Sequence, residues 1–401
     1  MKFDLSLRGS PALLTLAIVL VAACKSKSTR DGQPPHPTVR DADAIIDAST
    51  DWPELAGYPR VDPVRTVTIP LTKRDNPRFD VGGPVLAGEL AIVSSSQFGF
   101  AAIDYRRGAI AWTKPAGGHV APPLLRGTSI VLVGECAQFV QVPDGEALLG
   151  CLRVVTTTGS DEAYIAIRGE PREVEAFATE KGPQSLWDAG EKAVRWRRGE
   201  QAVTIDLSSG VAKPASAEPP PLAVTYKGRR WEVTQRAGRI VARGKQPWET
   251  EHEYTAILGV VWLPDLTPLL RVVNLGASAG TPEVHLIDMD ATGSLRATVA
   301  RPAPGVALLG HGVSAQGDAA IAMRIDRSLE RDFVAGYAAN AMLVYVHALP
   351  QRKRTEPVGV AVAEDAVVVF HDGEMLTILP ALSAPPTAPG ATTGAWKNPT
   401  P

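Results

Sequence analysis

The sequence is short of the groups from which preassembled chemistry is built. Its seven histidines, His36, His119, His252, His285, His311, His347 and His371, lie far apart with no HxxxH or HxH pair, so spacing preorganises no zinc site. It has three cysteines and no CxxC, which removes the common thiol-redox motif. Excess charge of one sign is missing too. A formal net charge of −2 over 401 residues gives no global field to draw nucleic acid or an anionic membrane surface. No series of long amphipathic helices alternates with strands, which excludes a parallel α/β sheet. The apolar run 11–23 would rise about 20 Å as a helix, short of the ~30 Å hydrocarbon core of a bilayer.

That run is a targeting segment. Lys2 and Arg8 flank Asp4 ahead of it, and together they make residues 1–23 a signal peptide. Val21-Ala22-Ala23-Cys24 resembles the bacterial lipobox. The resemblance implies diacylglyceryl transfer to Cys24, cleavage before it and N-acylation of the new terminus. More than one acyl chain is what stable membrane anchoring needs. Lys25 rather than Asp follows the cysteine, which in enteric bacteria favours the outer membrane. The expected address is the cell envelope, lipid-anchored, on a periplasmic or external face. Residues 24–63 are rich in Pro, Asp, Ser and Thr and read as a disordered tether, and 383–401 as a disordered Pro/Ala/Thr-rich tail. The folded body is expected over 64–382.

Setting Cys24 aside leaves Cys136 and Cys151, a pair that in an oxidising compartment reads as a disulfide. Pro143-Asp144-Gly145-Glu146 is a turn signal between two strand-like runs, so the bridge would staple a hairpin and contribute about 3 kcal/mol by loop entropy. A redox pair and a metal site are the alternatives.

Between tether and tail the apolar runs are short, β-branched and bounded by Gly, Pro, Asp or Asn, as strands are. Gly83-Pro84-Val85-Leu86-Ala87-Gly88 continues into Leu90-Ala91-Ile92-Val93, and Pro122-Pro123-Leu124-Leu125-Arg126-Gly127 into Ile130-Val131-Leu132-Val133. Between them Phe100 to Trp112 reads as strand, tight turn, strand. A period of about forty built from short strands is the spacing of one four-stranded propeller blade. Only Arg327 to Leu343 suggests a helix, weakened by Gly336 and Asn340.

Ala102-Ile103-Asp104, then Gly108 and Trp112, then Pro123 with Gly127 resembles the PQQ-like (quinoprotein-type) propeller repeat. In such a unit Asp caps the turn, Gly takes a left-handed conformation and Trp packs between blades. Asp206 with Gly210 repeats the turn core, and Asp288 with Gly293 repeats it with one residue inserted; neither has a tryptophan at the matching place. The expected fold is all-β, a propeller of seven or eight four-stranded blades, with a pair of β-sandwiches as the alternative. The strand around Arg65 is expected to close the ring against the last blade.

Other constellations are weaker. Gly276-Ala277-Ser278-Ala279-Gly280 fits a G-x-S-x-G elbow, but that elbow must join a strand to a helix, and a strand-like run follows. Asp288-x-Asp290-x-Thr292-Gly293 begins like a calcium loop, yet position twelve is Val299 where a bidentate Glu is required; an Asx-capped turn explains it. Arg195-Trp196-Arg197-Arg198 and Lys227-Gly228-Arg229-Arg230-Trp231 interleave cations with indoles, as in base-stacking or anion-binding surfaces. They are read as solvated blade edges with arginine stacked on tryptophan, or else as a surface for an anionic glycan or partner. The functional expectation is a protein-binding scaffold in the envelope, with no catalytic residues, metal, cofactor or nucleic acid. The PQQ cofactor is not expected, since no assembled set of stacking Trp, calcium carboxylates and catalytic Asp is found. The alternatives are a propeller enzyme (quinoprotein dehydrogenase, hydrolase or lyase) and a glycan-binding surface lipoprotein.

Overall fold

In the computed structural model, residues 55, 57–71, 81–244, 247–263, 267–278, 281–298, 303–326, 331–350 and 358–382 are described. The expected signal peptide, Cys24, most of the expected tether and the expected tail lie outside them. The described residues all belong to one compact unit within 37–401.

The described strands form seven antiparallel sheets, each with a four-stranded path, and in six of them only sequence neighbours pair along that path. This is a seven-bladed β-propeller. Blade I spans 81–114, blade II 124–169, blade III 184–214, blade IV 222–249, blade V 256–298 and blade VI 307–348. Blade VII is composite. Gly359–Val362, Ala366–His371 and Met375–Pro380 come from the C-terminal side, and Arg65–Thr68 supplies the outer strand, with Arg65 opposite Ile378 and Thr68 opposite Met375. The ring is therefore closed by hydrogen bonds between the two ends of the folded chain, as expected for the Arg65 strand.

Successive side chains on a strand point to opposite faces, so a strand sandwiched between two blades buries both sets. Ala366–His371 is buried at every position. Val368 and Phe370 pack toward blade I with Ala91, Val93 and Ile103, while Val367 and Val369 pack toward blade VI with Val334 and Tyr345. Comparable apolar clusters join I to II, II to III, IV to V and V to VI. No such cluster joins blades III and IV among the described residues.

The first strand of each blade is innermost, and those of blades V, VI, VII, I, II and III touch in succession. The closest approach involves glycine. A Cβ at Gly359 would fall inside the carbonyl oxygen of Gly83, and one at Gly310 inside that of Val358; one at Gly312 would lie 2.6 Å from the Val360 oxygen. A glycine within a strand lets another backbone approach, and here it draws the inner strands of VI, VII and I together. Gly359→Ala is therefore expected to destabilise by about 1–3 kcal/mol through overpacking. Gly244→Ala, whose Cβ would meet only Arg230 O at 3.4 Å, should change stability by less than about 0.5 kcal/mol. Denaturant midpoints of the two variants check this.

Three expectations are corrected. The folded body begins before residue 64: Leu55 is 2 % exposed within the V–VI cluster, and Arg60 bridges to Val346 in parallel. Local composition hid this, because one buried leucine in a polar stretch suffices when its partners are distant. The helix expected over 327–343 is not found in its described part, 327–330 lying outside the described residues: Arg331–Tyr337 is a strand buried at six of seven positions, where tertiary burial overrides local propensity. A helix does occur at Pro171–Thr179, with proline in its first turn, as suits a residue lacking an N–H. It joins blade II to blade III and seats Phe177 edge-on to Trp196 at 4.8 Å.

Candidate functional site

The blade-turn residues come first, because they set where loops and edges point. Asp104 Oδ1 accepts the Arg107 N–H at 2.9 Å, and the Gly108 N–H donates to the Asp104 carbonyl at 2.7 Å, with Gly108 at φ +69°. Asp206 repeats this: its Oδ1 accepts from the hydroxyl and backbone N–H of both Ser208 and Ser209, and Gly210 has φ +73°. Those bonds, from Ser208 first, hold the carboxyl well below the usual range.

In blade V the turn aspartate is Asp290, not Asp288. Asp290 Oδ1 accepts from the Thr292 hydroxyl and from the N–H groups of Thr292 and Ser294, and Arg296 donates to its Oδ2. Burial opposes its charge, but these bonds prevail and lower the pKa. Strand alternation points Asp288 inward instead, where it is 4 % exposed and pairs with the fully buried Arg271 at 2.8 and 2.7 Å. Arg271 also donates to the carbonyls of Gly317 and Ala339, so one guanidinium ties blade V to two turns of blade VI. Both carboxylates of the calcium-like motif are thus engaged by arginine.

Trp112 links blades as expected: its Nε1 donates to Thr157 O at 2.9 Å, and a Cβ on Gly159 would sit 2.6 Å from the indole. A second such link escaped the sequence reading. Trp248 Nε1 donates to Ala291 O at 2.9 Å, and a Cβ on Gly293 would sit 2.8 Å from its ring. The available signal was Gly244 followed by Trp248, without the preceding aspartate.

Cys136 and Cys151 form a disulfide, with Cα atoms 4.9 Å apart. Cys151 pairs with Gly134 across adjacent strands, so the bridge closes the base of the loop 135–146. That loop presents Phe139, 94 % exposed.

The elbow-like serine, Ser278, ends Pro268–Ser278 and pairs with Thr281 on the returning strand. No helix follows it, so the strained geometry of a nucleophile elbow is missing. The described histidines are dispersed: His119 accepts from Arg198 at 2.5 Å, His285 lies 3.5 Å from Glu283, His347 donates to Val61 O, and His371 bonds Thr377. No cluster of three metal-ligating side chains occurs among the described residues. His311, its pKa lowered by burial, lines a cleft of about 690 Å³. Leu222, Val233, Ile257 and Leu258 form its apolar wall, and Glu218 and Arg236 lie in its lining 3.7 Å apart.

The expectation that arginine stacks on tryptophan in the two cation–indole motifs is not met. Trp196 is 1 % and Trp231 7 % exposed. The indoles lie in the II–III and IV–V cores, because alternation sends every second side chain inward.

No protein-family model matches the chain, and no curated protein matches it. Among solved structures, a chain of the mitotic checkpoint complex aligns at 10 % identity over 84 % of this chain and 97 % of that one, TM-score 0.46. Hsv2p of Kluyveromyces lactis aligns at 8 % identity over 76 % and 100 %, TM-score 0.42. BamB of Moraxella catarrhalis aligns at 10 % identity over 80 % and 99 %, TM-score 0.37. Likenesses this remote carry no argument about function.

Proposed function

We propose that this chain is a lipid-anchored protein of the bacterial cell envelope whose PQQ-like propeller docks another protein. The observation that carries the reading is Phe139, almost wholly exposed on a loop stapled by Cys136–Cys151. A large aromatic held in water by a preorganised loop loses little entropy when a partner covers it. Its burial would contribute roughly 1.5–3 kcal/mol. The disulfide also suits an exported chain, in line with the signal peptide and the acylated Cys24 read from the sequence. Anchoring at Cys24 would hold the disc near a bilayer through the residues that precede Leu55.

The test is crosslinking and pull-down from native membranes with the full chain, a Cys24→Ser variant and a Phe139→Ser variant. One envelope protein should be recovered with the anchored chain, lost with Cys24→Ser, and reduced about tenfold or more with Phe139→Ser, the effect of removing an interface hot spot. Equal recovery by all three, or none by the folded and anchored chain, would refute the reading.

A further inference from the structure

The two cation–indole motifs fall on sheets that face each other. In blade III, Val194, Trp196 and Arg198 are buried, and Val194 and Trp196 join the core toward blade II. The alternate residues Arg195 and Arg197 therefore face blade IV. In blade IV, Trp231 and Val233 enter the core toward blade V, which turns Arg230, Glu232 and Arg236 toward blade III. Register places Arg243 opposite Glu232 and Arg239 opposite Arg236, so these two share that face. Among the described residues this is also the junction without an apolar cluster.

By alternation and register, six arginines thus face one seam of a chain whose net charge is −2. Three carboxylates answer them: Glu232 at 2.6 Å from Arg230, Glu218 at 3.7 Å from Arg236 and Glu249 at 3.6 Å from Arg239. Arg197 Nε donates to the Gly199 carbonyl. Arg243 makes no ion pair among the described residues. Arg195 is half-buried; its Nη1 reaches the carbonyls of Ser216 and Glu218 only at 3.5 and 3.3 Å, and its buried Nε has no hydrogen-bond partner. A buried guanidinium N–H without an acceptor is costly, and cations gathered on both walls repel one another unless an anion lies between them.

We infer that the III–IV seam is a binding site for a phosphate-bearing ligand, bridged between Arg195 on blade III and Arg243 on blade IV. Phosphate is favoured over carboxylate because its three acceptor oxygens can be shared between both walls. One bidentate arginine already occupies both oxygens of a carboxylate. The motif indoles Trp196 and Trp231 are buried, while Trp187, opposite Arg195 in the register and on the same face, is half-buried; the recognition rests on the arginines. The source is a soluble phosphate ester or a lipid headgroup.

The experiment is calorimetric titration of the purified full chain with inorganic pyrophosphate, with citrate as the carboxylate control. The same titration follows for Arg195→Gln and Arg243→Gln; the exposed Arg243 leaves the fold intact if the half-buried Arg195 does not. Pyrophosphate should bind more tightly than citrate, and each substitution should weaken it about tenfold or more, as expected for a lost hydrogen bond to a charged group. Displacement of pyrophosphate by short-chain phosphatidylglycerol, at concentrations where short-chain phosphatidylcholine has no effect, would support the site and assign it to a lipid headgroup. Binding without displacement would support it and assign a soluble ester. No binding, equal binding of citrate, or binding indifferent to Arg243→Gln would overturn the proposal.

Discussion

Arg271→Leu is expected to lower the unfolding free energy by about 3–5 kcal/mol, the cost of removing one partner of a buried ion pair. Arg271 is completely buried, and its guanidinium binds both oxygens of Asp288 together with the carbonyls of Gly317 and Ala339. Leucine fills much of the space but supplies no donor. Asp288 would remain 4 % exposed without a countercharge, and the two carbonyls would lose an N–H. Such a loss is a large share of a typical stability of 5–15 kcal/mol. The double variant Arg271→Leu with Asp288→Leu should recover much of it, since replacing a whole buried pair by apolar residues is often neutral. Urea midpoints for the two single variants and the double one check both statements. A single-variant loss below about 1 kcal/mol would mean that water reaches the pair, contrary to its burial.

Deletion of residues 64–72 is expected to remove the cooperative unfolding transition of the entire ring. The deletion takes away Arg65–Thr68, the outer strand of blade VII, along with Ile69, which is fully buried and donates its N–H to Glu374 O. Val67 and Ile69 also belong to the cluster joining blades VII and I. Without them Met375–Pro380 becomes an unpaired edge, a template for aggregation. Thermal unfolding followed by near-ultraviolet circular dichroism, with solubility, is the measurement. A body that keeps one sharp transition within a few degrees of the parent would show that the seam does not hold the ring.

What the sequence disclosed followed from local chemistry. Asp104 with Gly108 and Asp206 with Gly210 announce tight turns because carboxylate capping and a positive φ are decided within five residues. Strand character was readable for the same reason. Blade number was less so: blades begin at 81, 124, 184, 222, 256, 307 and 359, and this uneven spacing left seven and eight both open. The Asp288 assignment went wrong because two aspartates stand in the window, and only the strand's phase decides which turns inward. Nothing in the spacing of Gly359 or Gly310 signals that a foreign carbonyl lies against each. The arginines of 195–198 and 227–231 drew notice in sequence, but only the topology sets two of their strands face to face across a seam.

Hydrogen exchange of the native chain, read at the amides of Arg65–Thr68 and of Met375–Pro380, tests most directly whether this is one ring closed by its own ends. The four register pairs from Arg65 with Ile378 to Thr68 with Met375 predict that ladder amides of both strands open together, at a free energy close to that of global unfolding. Exchange at Arg65–Thr68 as fast as at the exposed turn residues Gly127 and Thr128, while Met375–Pro380 stays protected, would contradict the closure.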